Sequence, residues 1–306
     1  MHQYQLQRYQ GMRSRYHCPA CRHRRKTFTL YIDTQTGEPL NPAVGKCDRL
    51  DKCGYHYTPK QWFAENGLSV VGYQLPVVRQ KPKTDNRELK TDTIPYNLFK
   101  RSLSHYHQNN FVHHLTRLFG VAVAEGLIKR YCIGTAKHWP GAVVFWQIDI
   151  KGNIRTGKIM LYNAASGKRV KQPFNHINWV HSVLKLKAYN LRQCFFGEHL
   201  LNHNNLPVAI VESEKTAIIA SAYYPAFIWI AAGSLTNINT QTCAVLKGRQ
   251  VFLVPDLNGF ELWSAKAKQL KGIAHVTVSN LLELKATPLQ KQQGLDIADY
   301  LTAASH

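Results

Sequence analysis

Residues 208–221 read VAIVESEKTAIIAS, residues 227–234 read FIWIAAGS, and residues 250–263 read QVFLVPDLNGFELW. The first and third pieces are short apolar runs that end in an acid, Glu212 and Asp256 respectively. Val, Ile, Phe and Leu follow one another without alternation, as in strands buried on both faces. Helical patterns follow over 214–222 and 260–270. Strand, acid, helix, strand, glycine turn, strand, acid, helix is the order of a parallel α/β sheet. Ligands of such sheets bind beyond the carboxyl ends of the strands, where this order puts both acids. Two carboxylates there suit a hard divalent cation such as Mg²⁺. The plainer reading is that Glu212 or Asp256 caps a helix.

Together these pieces resemble the Toprim domain of bacterial primases, topoisomerases and related nucleases. VESEKT supplies that family's glutamate as Glu212, AAGS its glycine turn as Gly233, and PDLNG its aspartate as Asp256. GLDIADYL resembles the later acidic segment, with Asp296 as the acid and Asp299 beside it; Asp296 also reads as a helix cap. The resemblance covers about the last third of the chain. It implies a Mg²⁺ or Mn²⁺ site at Glu212, Asp256, Asn258 and Asp296. Glu212 and Asp256 would be catalytic, with Lys215 at a phosphate. The family's second aspartate is here Asn258, which offers a carbonyl oxygen but no charge and so weakens the metal site.

Near the other end, residues 16–58 carry Cys18 and Cys21 at knuckle spacing, then Cys47 and Cys53 with five residues between them. A strand pattern, TFTLYID, and a turn, TQTGEP, separate the pairs. A four-thiolate zinc site fits, with His56 as an alternative ligand; free cysteines or disulfides are the plain readings. Zinc would replace a core that this segment is too short to build. Arg22, Arg24, Arg25 and Lys26 leave the first knuckle, with Tyr16, Phe28, Tyr31, Tyr55 and Tyr57 nearby. Cations among aromatics suit a nucleic-acid strand, although some of these rings must pack around the zinc. The segment is similar to the zinc ribbon that precedes the catalytic core of bacterial primases.

The 306 residues carry 39 Lys and Arg against 18 Asp and Glu, a net charge of +21. So basic a chain points to a polyanion, nucleic acid first. No apolar run reads as long enough to span a membrane, and the first residues do not read as a signal peptide. The expected location is the cytoplasm, with no membrane partner.

The expected divisions are a basic tail at 1–15, the ribbon at 16–73, a linker at 74–94, a mixed α/β subdomain at 95–205 and the Toprim-like part at 206–306. In the subdomain, 96–103, 110–119 and 123–131 read as helices, with Gly120 as a C-cap. Residues 142–170 read as a meander with turns at DIKGN and NAASGK. His113 and His114 read as ordinary helix residues, and Cys132, Cys194 and Cys243 as structural. The meander resembles the basic primase segment before Toprim, which implies that Arg155, Lys158 and Arg169 hold template or nucleotide phosphates.

The fold class expected is thus α/β with small β modules: a zinc ribbon, a mixed α/β middle and a Toprim-like parallel sheet. The order of parts resembles primase-like proteins of phages and mobile elements. It implies metal-dependent primer synthesis on single-stranded DNA from nucleoside triphosphates. The rivals are an accessory DNA-binding factor in element replication or excision, favoured by Asn258, and a metal-dependent nuclease. A helicase or recombination partner is left unspecified.

Overall fold

The computed structural model describes residues 3–49, 53–65, 91–202 and 204–303. It forms two compact units, Met1–Asp85 and Asn86–His306. Of the expected linker, only 91–94 fall among the described residues.

The first unit is a four-stranded antiparallel sheet in the order β1-β2-β3-β4, with β1 at Tyr4–Leu6, β2 at Phe28–Asp33, β3 at Gly45–Cys47 and β4 at His56–Tyr57. Helix α1, Pro59–Glu65, follows. Residues 4–6 lie in the stretch read as a polar tail, yet they pair with β2, Tyr4 opposite Asp33 and Leu6 opposite Tyr31. Three residues are too few to show a period, and the Tyr4 ring is held 5.6 Å from Phe63. Buried apolar side chains are scarce in this unit: Cys18, Phe28, Leu30 and Cys47 form its core, with Tyr16 and Tyr55 packed against them.

The second unit opens with α2, Tyr96–Ser102, and α3, Asn110–Arg130. The Asn109 side chain caps α3, accepting from the N–H groups of Phe111 and Val112. Gly120 interrupts α3 at φ 77°, ψ 169°, a backbone region open essentially to glycine alone. The helix is therefore two pieces, as the expected cap and restart at Gly120 require. By length and composition α3 does pass as a candidate span, against the expectation of none. It is nevertheless broken at Gly120, and Phe111, Leu115, Leu127 and Ile128 are buried in the core.

The meander is a second antiparallel sheet, β5-β6-β7-β8, with β5 at Gly134–Thr135, β6 at Val143–Ile148, β7 at Ile154–Met160 and β8 at Ile177–Trp179. All six residues of β6 are buried. Val143 and Phe145 enter one apolar cluster, while Val144, Trp146 and Ile148 enter another. Helix α4, Val180–Val183, closes this part.

The stretch that opened the sequence reading forms a parallel sheet. Its strands are β9, Val208–Val211, β10, Ile228–Ala231, β11, Gln250–Leu253, and β12, His275–Val278. The order is β10-β9-β11-β12, every pair parallel. Helices α5, Glu214–Tyr223, α6, Thr240–Cys243, α7, Phe260–Gln269, α8, Leu281–Lys285, α9, Pro288–Gln293, and α10, Ile297–Ala303, complete the unit. Ala209 and Val211 face one apolar cluster, Val208 and Ile210 the other. Burial on both faces is why these strands read as unbroken apolar runs. The first cluster also holds Phe111, Phe145 and Phe196, so the α3, meander and parallel-sheet segments share a core. From β9 the chain runs outward to β10, then returns across β9 to β11. That reversal is a topological switch point, and the crevice beyond β9 and β11 is the place where such sheets bind ligands.

Candidate metal centres and nucleic-acid interface

In the first unit the sulfurs of Cys18, Cys21, Cys47 and Cys53 all lie within 4.8 Å of one another. Burial pushes the Cys18 thiol up, and the amides of Cys21 and Ala20 pull the other way. The His23 amide brings Cys21 down to about 7. Burial pushes Cys53 up to about 12, against its bond from the Tyr55 amide. Amides donated to sulfur favour thiolates, and burial without a cation opposes them. A tetrahedral Zn²⁺ removes that conflict, so the residues fit zinc. His56 is outside the group: its Nε2 lies 2.9 Å from the Tyr31 hydroxyl, and the two rings stack. It is not needed as a substitute ligand.

Arg22, Arg24, Arg25 and Lys26 are exposed on the same knuckle, with Arg22 in the left-handed region at φ 43°. Phe28 is fully buried and packs on Tyr55, so it offers no face to a base.

In the second unit Glu212 directly follows β9, and Asp256 lies beyond β11, the two strands that flank the switch point. Neither caps the following helix. Ser213 caps α5 through the Thr216 amide, and Gly259 precedes α7. Asp296 does cap: it and Asp299 exchange backbone amides, Asp299 N–H to Asp296 Oδ1 at 3.0 Å and Asp296 N–H to Asp299 Oδ2 at 3.1 Å. Asp296 Oδ2 also accepts from the Thr216 hydroxyl at 2.6 Å, which pins the start of α10 to α5. Lys215 Nζ lies 3.7 Å from Asp299.

Asp256 is the focus of this cluster. Its carboxyl is pushed up to about 8, first by burial and then by Asp296, Glu212 and Asp299, with Lys215 partly offsetting them. Among the described residues, the cysteine set is the group of side chains close enough to share a metal ion; the carboxylates here are hard oxygen donors, the type that Mg²⁺ and Mn²⁺ take.

Asn258 belongs to a different arrangement. It sits at φ 68° and is exposed. Its N–H donates to Glu283 at 2.6 Å, and its side-chain Nδ2 donates to the Lys291 carbonyl at 2.7 Å. Asn258 thus ties its loop to α8 and α9.

The sequence reading missed Glu214. It is buried, receives Lys158 Nζ at 3.1 Å on each oxygen, and lies under Gly233, where a Cβ would come within 3.5 Å of Oε1. Gly233 has φ 69°, and its N–H donates to the Glu212 carbonyl at 2.8 Å. Nothing in the local sequence distinguishes Glu214 from a solvated first-turn acid.

Two of the three meander cations are corrected by their partners. Lys158 is held by Glu214, and Arg155 is held by Asp149 at 2.6 Å and by Thr91 at 2.6 Å. Both are largely buried, so neither is presented to a phosphate. Arg169 is exposed beside the 163–168 turn. His113 is exposed and bonded to the His107 carbonyl. His114 is buried, and burial, then Lys215 and Arg117, hold it down at about 4. Cys194 and Cys243 are buried and Cys132 half-buried.

No curated protein matches the chain. Solved structures similar to it include the primase fragment of the bacteriophage T7 primase-helicase protein, 14% identical, covering 92% of this chain and 98% of that one at a TM-score of 0.37. The DnaG catalytic core is 11% identical, covering 68% and 81% at 0.42. The Aquifex aeolicus primase, with its zinc-binding and RNA polymerase domains, is 12% identical, covering 98% and 80% at 0.33. Residues 109–257 match a family described as Domain of unknown function (DUF6371). Residues 2–68 match a family described as Zinc beta-ribbon finger, putative, and hold the four converging thiols. The chain is thus an α/β protein with an N-terminal zinc ribbon.

Proposed function

We propose that the protein is a primase-like enzyme of the cytoplasm that synthesises short primers on single-stranded DNA from nucleoside triphosphates, as part of phage or mobile-element replication. What supports this reading is the like charge that Asp296, Glu212 and Asp299 add at Asp256, beyond β11 at the switch point of the parallel sheet. Glu212 and Asp256 would hold Mg²⁺ or Mn²⁺, which when bound neutralises phosphate charge and activates an attacking oxygen. Asp296 holds its place through Thr216 and α10. Lys215 stands at the edge of the cluster, where it can meet a phosphate. The zinc ribbon presents Arg22, Arg24, Arg25 and Lys26 to the strand.

The test is primer synthesis on single-stranded DNA with Mg²⁺ or Mn²⁺ and labelled nucleotides. Short products are expected from the native protein. Glu212→Gln and Asp256→Asn are each expected to lower the yield at least 100-fold while leaving DNA binding intact. Asn258 supports a second reading, a DNA-binding accessory factor, because its amide is engaged by Lys291. Salt-sensitive binding without products would select that reading, and strand cutting would select a nuclease.

A further inference from the structure

Residues 93–197 contain fifteen Lys or Arg and only two acids, Glu125 and Asp149. Asp149 is already paired with Arg155. Arg155 and Lys158 are largely buried in ion pairs, and the remaining cations leave this segment strongly basic, which repels acidic partners and attracts phosphates. Within this segment lies a cavity of about 320 Å³, between the connection that follows α2 and the loop between β5 and β6. Arg101, His105, Gln108, Lys137, Trp139 and Gly141 line it.

Trp139 also belongs to an aromatic group. His138 lies 4.3 Å from its ring, His176 5.1 Å at 75°, and Phe174 6.3 Å at 50°. Phe174 and His176 stack at 4.3 Å, and Phe174 is 52% exposed. These rings are held in place. Asn178 Nδ2 bonds His138 Nε2 at 3.1 Å, and the His176 ring and backbone N–H both bond the Val170 carbonyl. Isolated exposed apolar rings need no explanation. An ordered aromatic group beside a cavity lined by Arg101, Lys137 and Trp139 does.

We infer that this cavity and the aromatic group beside it are a nucleobase-stacking site: one base stacks on Trp139 and a neighbouring base on the exposed Phe174, while Arg101 and Lys137 meet the phosphates beside Trp139. Base stacking on such rings is sequence-tolerant because every base has a π face, and cations along the backbone add the electrostatic part. The ligand is a nucleobase carrying phosphate, in a single strand or as a free nucleotide. The inference does not depend on metal at Asp256, and its test needs neither added divalent cation nor triphosphates.

The experiment uses the full chain and a fluorescein-labelled oligothymidylate of about 15 nucleotides, a length within the range of single-strand sites. It is run beside an abasic strand of the same length and beside thymidine monophosphate. Trp139→Ala and Phe174→Ala are each expected to weaken the base-bearing strand roughly tenfold and leave the abasic strand unchanged. Trp139→Phe should recover most of that loss. Because Phe174 is half open to solvent, its removal leaves the core alone. A loss confined to the mononucleotide would identify a free nucleotide as the ligand of the same site. Equal losses on both strands, or none on any probe, would overturn the inference. Primer synthesis is a separate readout: its failure with this stacking intact would remove the catalytic reading and leave the base site standing.

Discussion

At the scale of the residue, the buried ionic groups carry the sharpest consequences. Lys158 and Glu214 are 12% and 2% exposed and face each other at 3.1 Å. Removing one partner strands the other charge in the core, so Lys158→Met is expected to cost about 3–5 kcal/mol in urea unfolding. Lys158→Met combined with Glu214→Gln should recover much of that loss. Glu198 makes a second case. Burial, with Asp149 adding, pushes its carboxyl up to about 7 from 4.5, although it accepts amides from Ile150 and Phe195. A folded pKa above the unfolded one means stability that is full below about pH 4.5 and lost as pH rises through 7. The loss is on the order of 3 kcal/mol. Glu198→Gln should flatten this decline, seen as a smaller gap between urea midpoints at about pH 5 and about pH 8. Residue roles were legible only in part. Glu212 and Asp256 could be read as strand-end acids, and Asp296 as the acid or helix cap of a later segment. The fates of Asn258, Arg155 and Lys158 could not, because each is decided by partners 6 to 64 residues away.

At the scale of the element, the legible features were those with a period or a fixed spacing. The runs of β9, β10 and β11 declare burial on both faces, and Cys18-x-x-Cys21 declares a knuckle. Gly120 was legible as a break because no other residue tolerates its backbone there. β1 was not, since its pairing partner, rather than its own three residues, defines it. The zinc ribbon yields a prediction at this scale. Its buried apolar side chains are few, Cys18, Phe28, Leu30, Val44 and Cys47 among the described residues, so metal binding must supply much of its folding free energy. Native mass spectrometry should find one zinc per chain. A strong chelator should unprotect amides in residues 3–49 and 53–65 in hydrogen exchange while leaving β6 and β9 protected. Cys47→Ser should do the same without chelator.

At the scale of the whole molecule, the net charge of +21 and its concentration in residues 93–197 govern how the protein meets its ligand. A single strand contacting about five phosphates should lose roughly 100-fold in affinity between about 50 and 200 mM salt. A much flatter dependence would assign binding to stacking alone. The acids of the proposed site come from three segments, at Glu212, Asp256 and Asp296–Asp299, the last at the head of α10. A growing chain therefore carries no finished site until that helix has left the ribosome. The zinc ribbon, made first, can fold around its metal while the carboxylates are still an unassembled set.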